Sequence, residues 1–145
     1  MESTDFKVRM SNVGEATLRH QVMYNLRTPR MIEYKNIQII YIDFSNLRKP
    51  EEIYSQMETA SNFIRKYPPK SLYTLTNLLG MHFNNDIFTR FTSYAKNNSP
   101  FVKSGAVIGM TGMMQIFYNG FTRMTGRDIK AFTSEIEAKE YLAGK

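Results

Sequence analysis

The residue types that enzymes use most often are scarce in this 145-residue chain, which has no cysteine and two histidines, His20 and His82. The lack of cysteine excludes disulfides, thiolate metal ligands and a cysteine nucleophile. Neither histidine belongs to a recognisable set of three or four metal ligands, and no Gly-x-Ser-x-Gly nucleophile motif is present. We therefore expect no catalytic residue, no metal site and no cofactor.

Asp43 is the acidic residue in the most suggestive position, because it stands near the end of a predicted strand. In an enzyme it would act with a basic side chain such as Arg127, but no pair of a base and a nucleophile is visible beside them. Asp43 is more simply a residue that caps the loop after the strand. The sequence favours a binding protein over an enzyme.

The segment Gly-Met-Thr-Gly over 109–112 stands between a predicted strand and a predicted helix. Free amides at Thr111 and Gly112, together with the helix dipole, are suited to holding an anion. The segment lacks the lysine of a phosphate-binding loop and the third glycine of a dinucleotide-binding motif. Two interpretations stay open. The segment is a tight turn without a ligand, or it is a site for an anionic small ligand.

The helix predicted over 112–125 carries Met114 and Tyr118 beside its main apolar stripe. These two residues broaden the apolar face of the helix. Burial in the core is the simpler explanation of this face. A surface that binds a partner or an apolar ligand is the alternative.

Basic residues outnumber acidic residues by 19 to 13, and the excess lies in the middle of the chain. Between Arg65 and Lys130 there are nine basic and two acidic residues. Such a surface suits phosphates, anionic lipid or an acidic partner, or is simply solvated. Because no run of five like charges and no nucleic-acid-binding motif occurs, we expect no nucleic-acid partner.

The N-terminus has no visible secretory signal, and the longest apolar run, Ile39 to Ile42, is far shorter than the ~20 residues that cross a bilayer. We therefore expect a cytoplasmic protein without a transmembrane segment. Residues 1–27 are weakly patterned and predict an N-terminal extension. Residues 28–145 predict one α/β domain.

Apolar periodicity and helix-capping residues predict the element order β-β-α-β-α-β-α-β-α. The predicted strands cover 30–34, 37–44, 72–79, 106–110 and 129–132. The predicted helices begin at Pro50, at 84–86, after Gly112 and at 133–134. The first two strands should form an antiparallel hairpin through Lys35 and Asn36, and the later strands should pair in parallel through helical crossovers.

The strand predicted over 37–44 is apolar on both faces. Ile39 and Tyr41 lie on one face, and Ile40 and Ile42 lie on the other. Both faces therefore need cover. The helices can cover one face, and we expect the N-terminal extension, a second subunit or an apolar ligand to cover the other.

Four segments carry recognisable strings. They are Thr-Pro-Arg-Met-Ile-Glu-Tyr-Lys from residue 28, Ile-Asp-Phe-Ser-Asn-Leu from residue 42, Ala-Val-Ile-Gly-Met-Thr-Gly from residue 106 with Ile-Phe-Tyr-Asn from residue 116, and Thr-Gly-Arg-Asp-Ile-Lys-Ala-Phe from residue 125 with Glu-Ala from residue 137. Together they resemble the STAS-like family, named for sulphate transporters and anti-sigma-factor antagonists, and most closely its stand-alone SpoIIAA-like branch.

This resemblance covers about 28–143. It implies a SpoIIAA-like β-α superhelix of about five strands, with an N-terminal antiparallel hairpin, then parallel crossovers, and four helices mainly on one face. It also implies a distant relation to CRAL-TRIO lipid-binding domains, and binding or switching rather than catalysis. Antagonist members are switched by phosphorylation of a serine after the third strand. The matching region here has Asn84 and Asn85, and the nearest hydroxyls are Thr76 and Thr89.

Our leading hypothesis from the sequence is a non-enzymatic STAS-like binding and regulatory module that acts through protein–protein contacts, including a homodimer. The alternative is a protein that binds a small apolar or lipid-like ligand beside the sheet or under the Met- and Phe-rich helix. The candidate ligand- or partner-binding residues are Asp43, Ser45, Asn84, Asn85, Thr111, Gly112, Met114, Tyr118 and Arg127.

Overall fold

The computed structural model describes residues 27–125 and 129–145, and their side chains except at 120–125. The strands are β1 (Arg30–Tyr34), β2 (Ile37–Asp43), β3 (Leu72–Asn77), β4 (Val102–Ile108) and β5 (Ile129–Phe132). The helices are α1 (Pro50–Ile64), α2 (Asn85–Asn98), α3 (Met113–Thr125) and α4 (Glu135–Ala143), and a 3-10 turn (Ser99–Phe101) follows α2. The predicted extension lies outside the described residues, apart from Arg27.

The five strands form one sheet in the order β1-β2-β3-β4-β5. β1 pairs antiparallel with β2, and each later pair is parallel. Lys35 and Asn36 form the hairpin turn with φ angles of 47° and 72°. Two successive positive φ angles give the turn a twist that matches the right-handed twist of the strands. The predicted element order and mixed sheet are confirmed.

β2 ends one residue before its predicted end, and two further strands differ from the prediction by two residues or more. β4 begins at Val102, four residues before the predicted start, because Gly105 takes part in the pairing with β3 instead of breaking the strand. β3 ends at Asn77, whose side-chain Oδ1 accepts a hydrogen bond of 3.0 Å from the Leu79 amide. The side-chain bond turns the chain away from the sheet at this point.

Three helices pack on one side of the sheet. We call the side that carries Ile40 and Ile42 face A, and the side that carries Ile39 face B. Ile53 of α1 and Ile87 of α2 are fully buried in the same cluster as the face A isoleucines, and α3 also contributes to this cluster. The prediction of helices mainly on one face is confirmed.

Helix α4 covers face B over β3, β4 and β5. Its Ala138 and Leu142 are fully buried and pack in one cluster with Leu75 and Ala106. Our expectation that face B needs the extension, another subunit or a ligand is therefore wrong for these three strands. The last helix crosses to the opposite side of the sheet from the other three.

Glu140 connects α4 to the β1–β2 hairpin. Its carboxylate accepts a hydrogen bond from the Tyr34 hydroxyl and lies 2.7 Å from Lys35 Nζ. The hydrogen bond from Lys35, followed by that from Tyr34, lowers the pKa of Glu140. A lowered carboxyl pKa stabilises the fold above the unfolded-state pKa, and this stability is lost as pH falls through the folded-state pKa. Both charged side chains are exposed, so the contribution is small.

Leu142→Ala should lower the free energy of unfolding by about 3 kcal/mol, because it removes a fully buried side chain between α4 and the sheet. Ile136 is 56% exposed on the same helix and provides the matched control. Ile136→Ala should change stability by less than about 0.5 kcal/mol. Urea unfolding followed by circular dichroism measures both variants. Equal losses would contradict the packing of α4 on face B.

Candidate functional site

A cavity of about 120 Å³ lies between face A and helices α2 and α3. Ile42 and Thr76 belong to its sheet side, Phe91 to α2, and Met114 and Phe117 to α3. None of its described lining residues is charged. We call this space the sheet–helix cavity.

The sheet–helix cavity exists because the middle of face A carries short side chains. Thr74 of β3 pairs with Ile40 on one side and Gly105 on the other, and Gly105 pairs with Ile129. The flanking strands β2 and β5 therefore carry isoleucine in a row where the central strands carry threonine and glycine. Opposite them, α2 contributes Ala95 to the lining. In an otherwise close-packed core, short side chains on both sides leave space.

A cluster of three phenylalanine rings lines one end of the cavity. Phe83 follows β3, Phe88 belongs to α2 and Phe117 to α3. Their ring centroids lie 4.7 to 6.5 Å apart in tilted or edge-to-face arrangements, which aromatic pairs favour. The rings connect both helices to the loop at the carboxyl end of β3.

Asn98 is the most buried polar side chain in the cavity lining. It is 2% exposed and ends α2. Its Nδ2 donates a hydrogen bond of 3.0 Å to Ser61 Oγ on α1. Its Oδ1 is buried and has no hydrogen-bond partner among the described residues. The cavity therefore combines an apolar lining with one amide whose hydrogen bonding is incomplete.

Two of the predicted site residues, Met114 and Tyr118, come together in the cavity lining. Met114 is 6% exposed and belongs to the face A core. The Tyr118 hydroxyl donates to the carbonyl of Ile129, which ties α3 to β5. Met114 and Tyr118, which broaden the apolar face of α3, therefore pack against the interior of the protein and also line the cavity.

Four other predicted site residues lie outside the cavity lining, in the turn after β2 and at the start of α2. The Asp43 carboxylate accepts a hydrogen bond of 2.9 Å from the Ser45 amide, so Asp43 caps the loop after β2. The Asn84 side chain accepts a hydrogen bond of 2.9 Å from the Ile87 amide and caps α2. Asn85 is the exposed first residue of that helix.

Thr111 and Gly112 form an exposed turn before α3. Gly112 has a φ of 51°, a left-handed conformation that glycine adopts without strain. The carbonyls of the two residues accept hydrogen bonds from Met114 and Gln115. An anion site at this turn stays a prediction. Arg127 lies outside the described residues.

Asn98 and the two cavity threonines were not among the site residues predicted from the sequence. Asn98 stands in an Asn-Asn-Ser-Pro segment, which is typical of a helix end and does not by itself indicate a binding site. Thr74 and Thr76 alternate along β3 and looked like ordinary strand residues. Their alternation was a visible signal, because a parallel strand covered by helices usually carries larger apolar side chains at such positions.

Several residues from the basic middle of the chain lie over aromatic rings. Arg90 of α2 stacks 3.9 Å from the centroid of Tyr54 on α1. Lys103 of β4 lies 5.5 Å from the centroid of Tyr73. These contacts join neighbouring elements at the surface. They indicate that some of the extra basic residues stabilise the fold rather than form a binding surface.

Within 27–125 and 129–145, no group of three or more histidine, aspartate or glutamate side chains could hold a metal ion. In the same residues no helix combines the length and the apolar character needed to cross a bilayer.

The chain matches no protein-family model and no curated protein sequence. Its structure is similar to that of an uncharacterised DUF3478 protein with a SpoIIAA-like fold from Shewanella loihica PV-4. The TM-score is 0.60 at 10% identity, over 79% of this chain and 91% of that one. It is also similar to an anti-sigma-factor antagonist (STAS) domain protein from Planctomyces limnophilus. There the TM-score is 0.54 at 14% identity, over 79% of this chain and 97% of that one.

At these identities the likeness concerns the fold. The chain has the SpoIIAA-like α/β fold, with a five-stranded mixed sheet and four helices in the described part. The fold that the four sequence segments predicted is confirmed.

Asn84→Ala should lower the free energy of unfolding by about 1 kcal/mol, because the first turn of α2 loses its capping oxygen. Asn84→Ser should recover most of the loss, since serine also caps helices. Asn85→Ala is the neighbouring control and should have little effect. Thermal unfolding measures all three variants. An unchanged Asn84→Ala protein would contradict the capping role.

Proposed function

We propose that this domain is a non-enzymatic binding module whose ligand is a small apolar molecule held in the sheet–helix cavity. The cavity of about 120 Å³, with its apolar and aromatic lining, is the observation that carries this proposal. Ligand sites of this kind combine a mostly hydrophobic lining with a few polar groups that orient the ligand. Thr74, Thr76 and Asn98 are such polar groups here.

The size of the cavity supports a ligand. An apolar cavity of about 150 Å³ stays dry and binds benzene or xenon. Empty space beside a side chain forfeits van der Waals contacts, and this lowers stability. On face B, in contrast, the larger side chains of Leu75 and Leu142 are fully buried between the strands and α4. A ligand that fills the face A cavity would recover part of this stability.

The absence of charge in the described lining supports binding rather than catalysis. Acid–base and nucleophilic mechanisms need titratable groups within hydrogen-bond reach of the ligand. The predicted acidic candidate, Asp43, instead binds the Ser45 amide in its turn. The occupant of the cavity is expected to be uncharged, because burial of an unpaired charge in apolar surroundings is unfavourable.

Ala95→Phe should weaken the binding of toluene by at least about tenfold, because the new ring occupies the cavity from the α2 side. Isothermal titration calorimetry with toluene measures the affinity of the wild-type and variant proteins. Ser93→Phe introduces the same ring at an exposed position of the same helix and should bind toluene like the wild type. Saturable binding that survives in Ala95→Phe, or no binding by the wild type, would contradict the proposal.

Protein–protein contact through α3 is a second candidate function, favoured by exposed apolar side chains. Met113 is 55% exposed and Ile116 is 73% exposed near the start of this helix. Leu79 is also 55% exposed, and its backbone lies against Gly109 in the connection that leads to α3. Exposed apolar side chains that gather in one region often mark a contact surface. We expect the partner that binds this surface to be a second copy of this chain.

Ile116→Lys should convert a dimer into a monomer if two copies meet through α3, because a charge would be buried in an apolar contact. Light scattering across a concentration series measures the mass in solution. Gln115→Lys adds the same charge at the neighbouring exposed position and should leave the mass unchanged. A wild-type protein that is monomeric throughout the series would rule out this second function.

A further inference from the structure

We infer that the ligand of the sheet–helix cavity carries a neutral oxygen, in a hydroxyl or carbonyl group, that hydrogen-bonds a threonine hydroxyl of β3, at Thr74 or Thr76. This inference rests on the proposed function and specifies the ligand as a small apolar molecule with one such polar group. The two threonines are then specificity-determining residues, because they favour this ligand over a hydrocarbon of the same shape.

Both threonines face the cavity from the middle of the sheet. Thr74 pairs with Ile40 of β2. Thr76 stands two residues further along β3 and pairs with Ile42. Both side chains therefore lie on face A, and both threonines line the cavity. They stay 8% and 9% exposed although β3 has a strand on each side and helices above it, so this exposed surface faces the cavity.

The two threonine hydroxyls are accessible and have no partner in the protein. Neither forms a side-chain hydrogen bond with another described residue. Among the described side chains, the buried polar atoms that are both sealed from any probe and unpartnered are Asn98 Oδ1 and the Tyr141 hydroxyl. The threonine hydroxyls are not sealed in this way, so an atom inside the cavity can approach them. A polar group without a partner in apolar surroundings is unfavourable, and a ligand that pairs with it removes this cost.

Packing alone does not require these hydroxyls. Valine has nearly the same shape as threonine and carries a methyl group in place of the hydroxyl. Val107 is the neighbour of Thr76 on β4 and lines the same cavity, so a valine side chain is compatible with this layer. Strands that lie under helices usually carry such apolar residues. The hydroxyls are therefore better explained by binding than by packing.

The chemistry of the lining selects the polar group of the ligand. A threonine hydroxyl both donates and accepts, so it pairs with a hydroxyl or with a carbonyl oxygen. An ammonium group or a carboxylate would stay without a countercharge, since the described lining has no charged residue. Phe91 of α2 and Phe117 of α3 line the side of the cavity opposite the sheet and offer apolar surface to the rest of the ligand.

Phenol and toluene test this inference, because they have similar shapes and differ in a hydroxyl against a methyl group. Calorimetry should give the ratio of phenol affinity to toluene affinity for the wild type and for the double variant Thr74→Val with Thr76→Val. We expect the ratio to fall about fivefold in the double variant, the usual worth of one hydrogen bond. Comparison of ratios cancels the difference in hydration between the two ligands.

Thr92→Val is the matched control. Thr92 is a buried threonine of α2 outside the described cavity lining, and its hydroxyl donates a hydrogen bond of 3.0 Å to the Phe88 carbonyl. The same change of a hydroxyl to a methyl group at this position should leave the affinity ratio as it is in the wild type.

Thermal unfolding without ligand provides a second readout, which a purely structural role of the hydroxyls would move in the opposite direction. The double variant should unfold at a higher temperature than the wild type, because methyl groups replace two hydroxyls without partners. A lower unfolding temperature, or an unchanged affinity ratio, would overturn the inference. Toluene binding by the wild type would then still support the proposed function. If the wild type binds neither compound, both proposals fail.

Discussion

The space between face A and its helices follows from one row of side chains across the sheet, from Ile40 through Thr74 and Gly105 to Ile129. Helices packed on a sheet rest on its larger side chains, because protein interiors are close-packed. The flanking strands carry isoleucine in this row, whereas the central strands carry threonine and glycine, so the middle of the row is lower than its ends. Ala95 adds no bulk from above, so the space between the layers stays open.

The two faces of the sheet have different roles because of this difference in side-chain size. Face B is covered by α4, where Ala138 and Leu142 pack directly on the strands. Face A holds the cavity, its phenylalanine cluster and the buried amide of Asn98. Asp43, Ser45 and Asn84, which the sequence marks as candidate site residues, lie outside the cavity lining and act in a turn and a helix cap. The molecule is therefore organised around an internal space, which favours binding as its function.

The sequence predicted the fold better than the site. Apolar alternation in β2 and the capping residue Asn84 act over a few neighbouring residues, so they are visible in a single chain. The predicted start of β4 was four residues too late, because the pairing of Gly105 with Thr74 is a long-range contact that the local sequence does not show. The cavity was not predictable for the same reason. It depends on register between strands that lie far apart in sequence, and on the side of the sheet that each helix covers. Met114 was predicted as a site residue because the periodicity of its own helix marks it as apolar.

A crystal pressurised with xenon tests most directly whether the apolar space between face A and its helices can hold a ligand. Xenon enters dry apolar cavities and is located by its scattering. The structure predicts a xenon atom between Thr74 on the sheet, Ala95 on α2 and Met114 on α3. Side chains that fill this space, or xenon bound only at other places, would contradict the account.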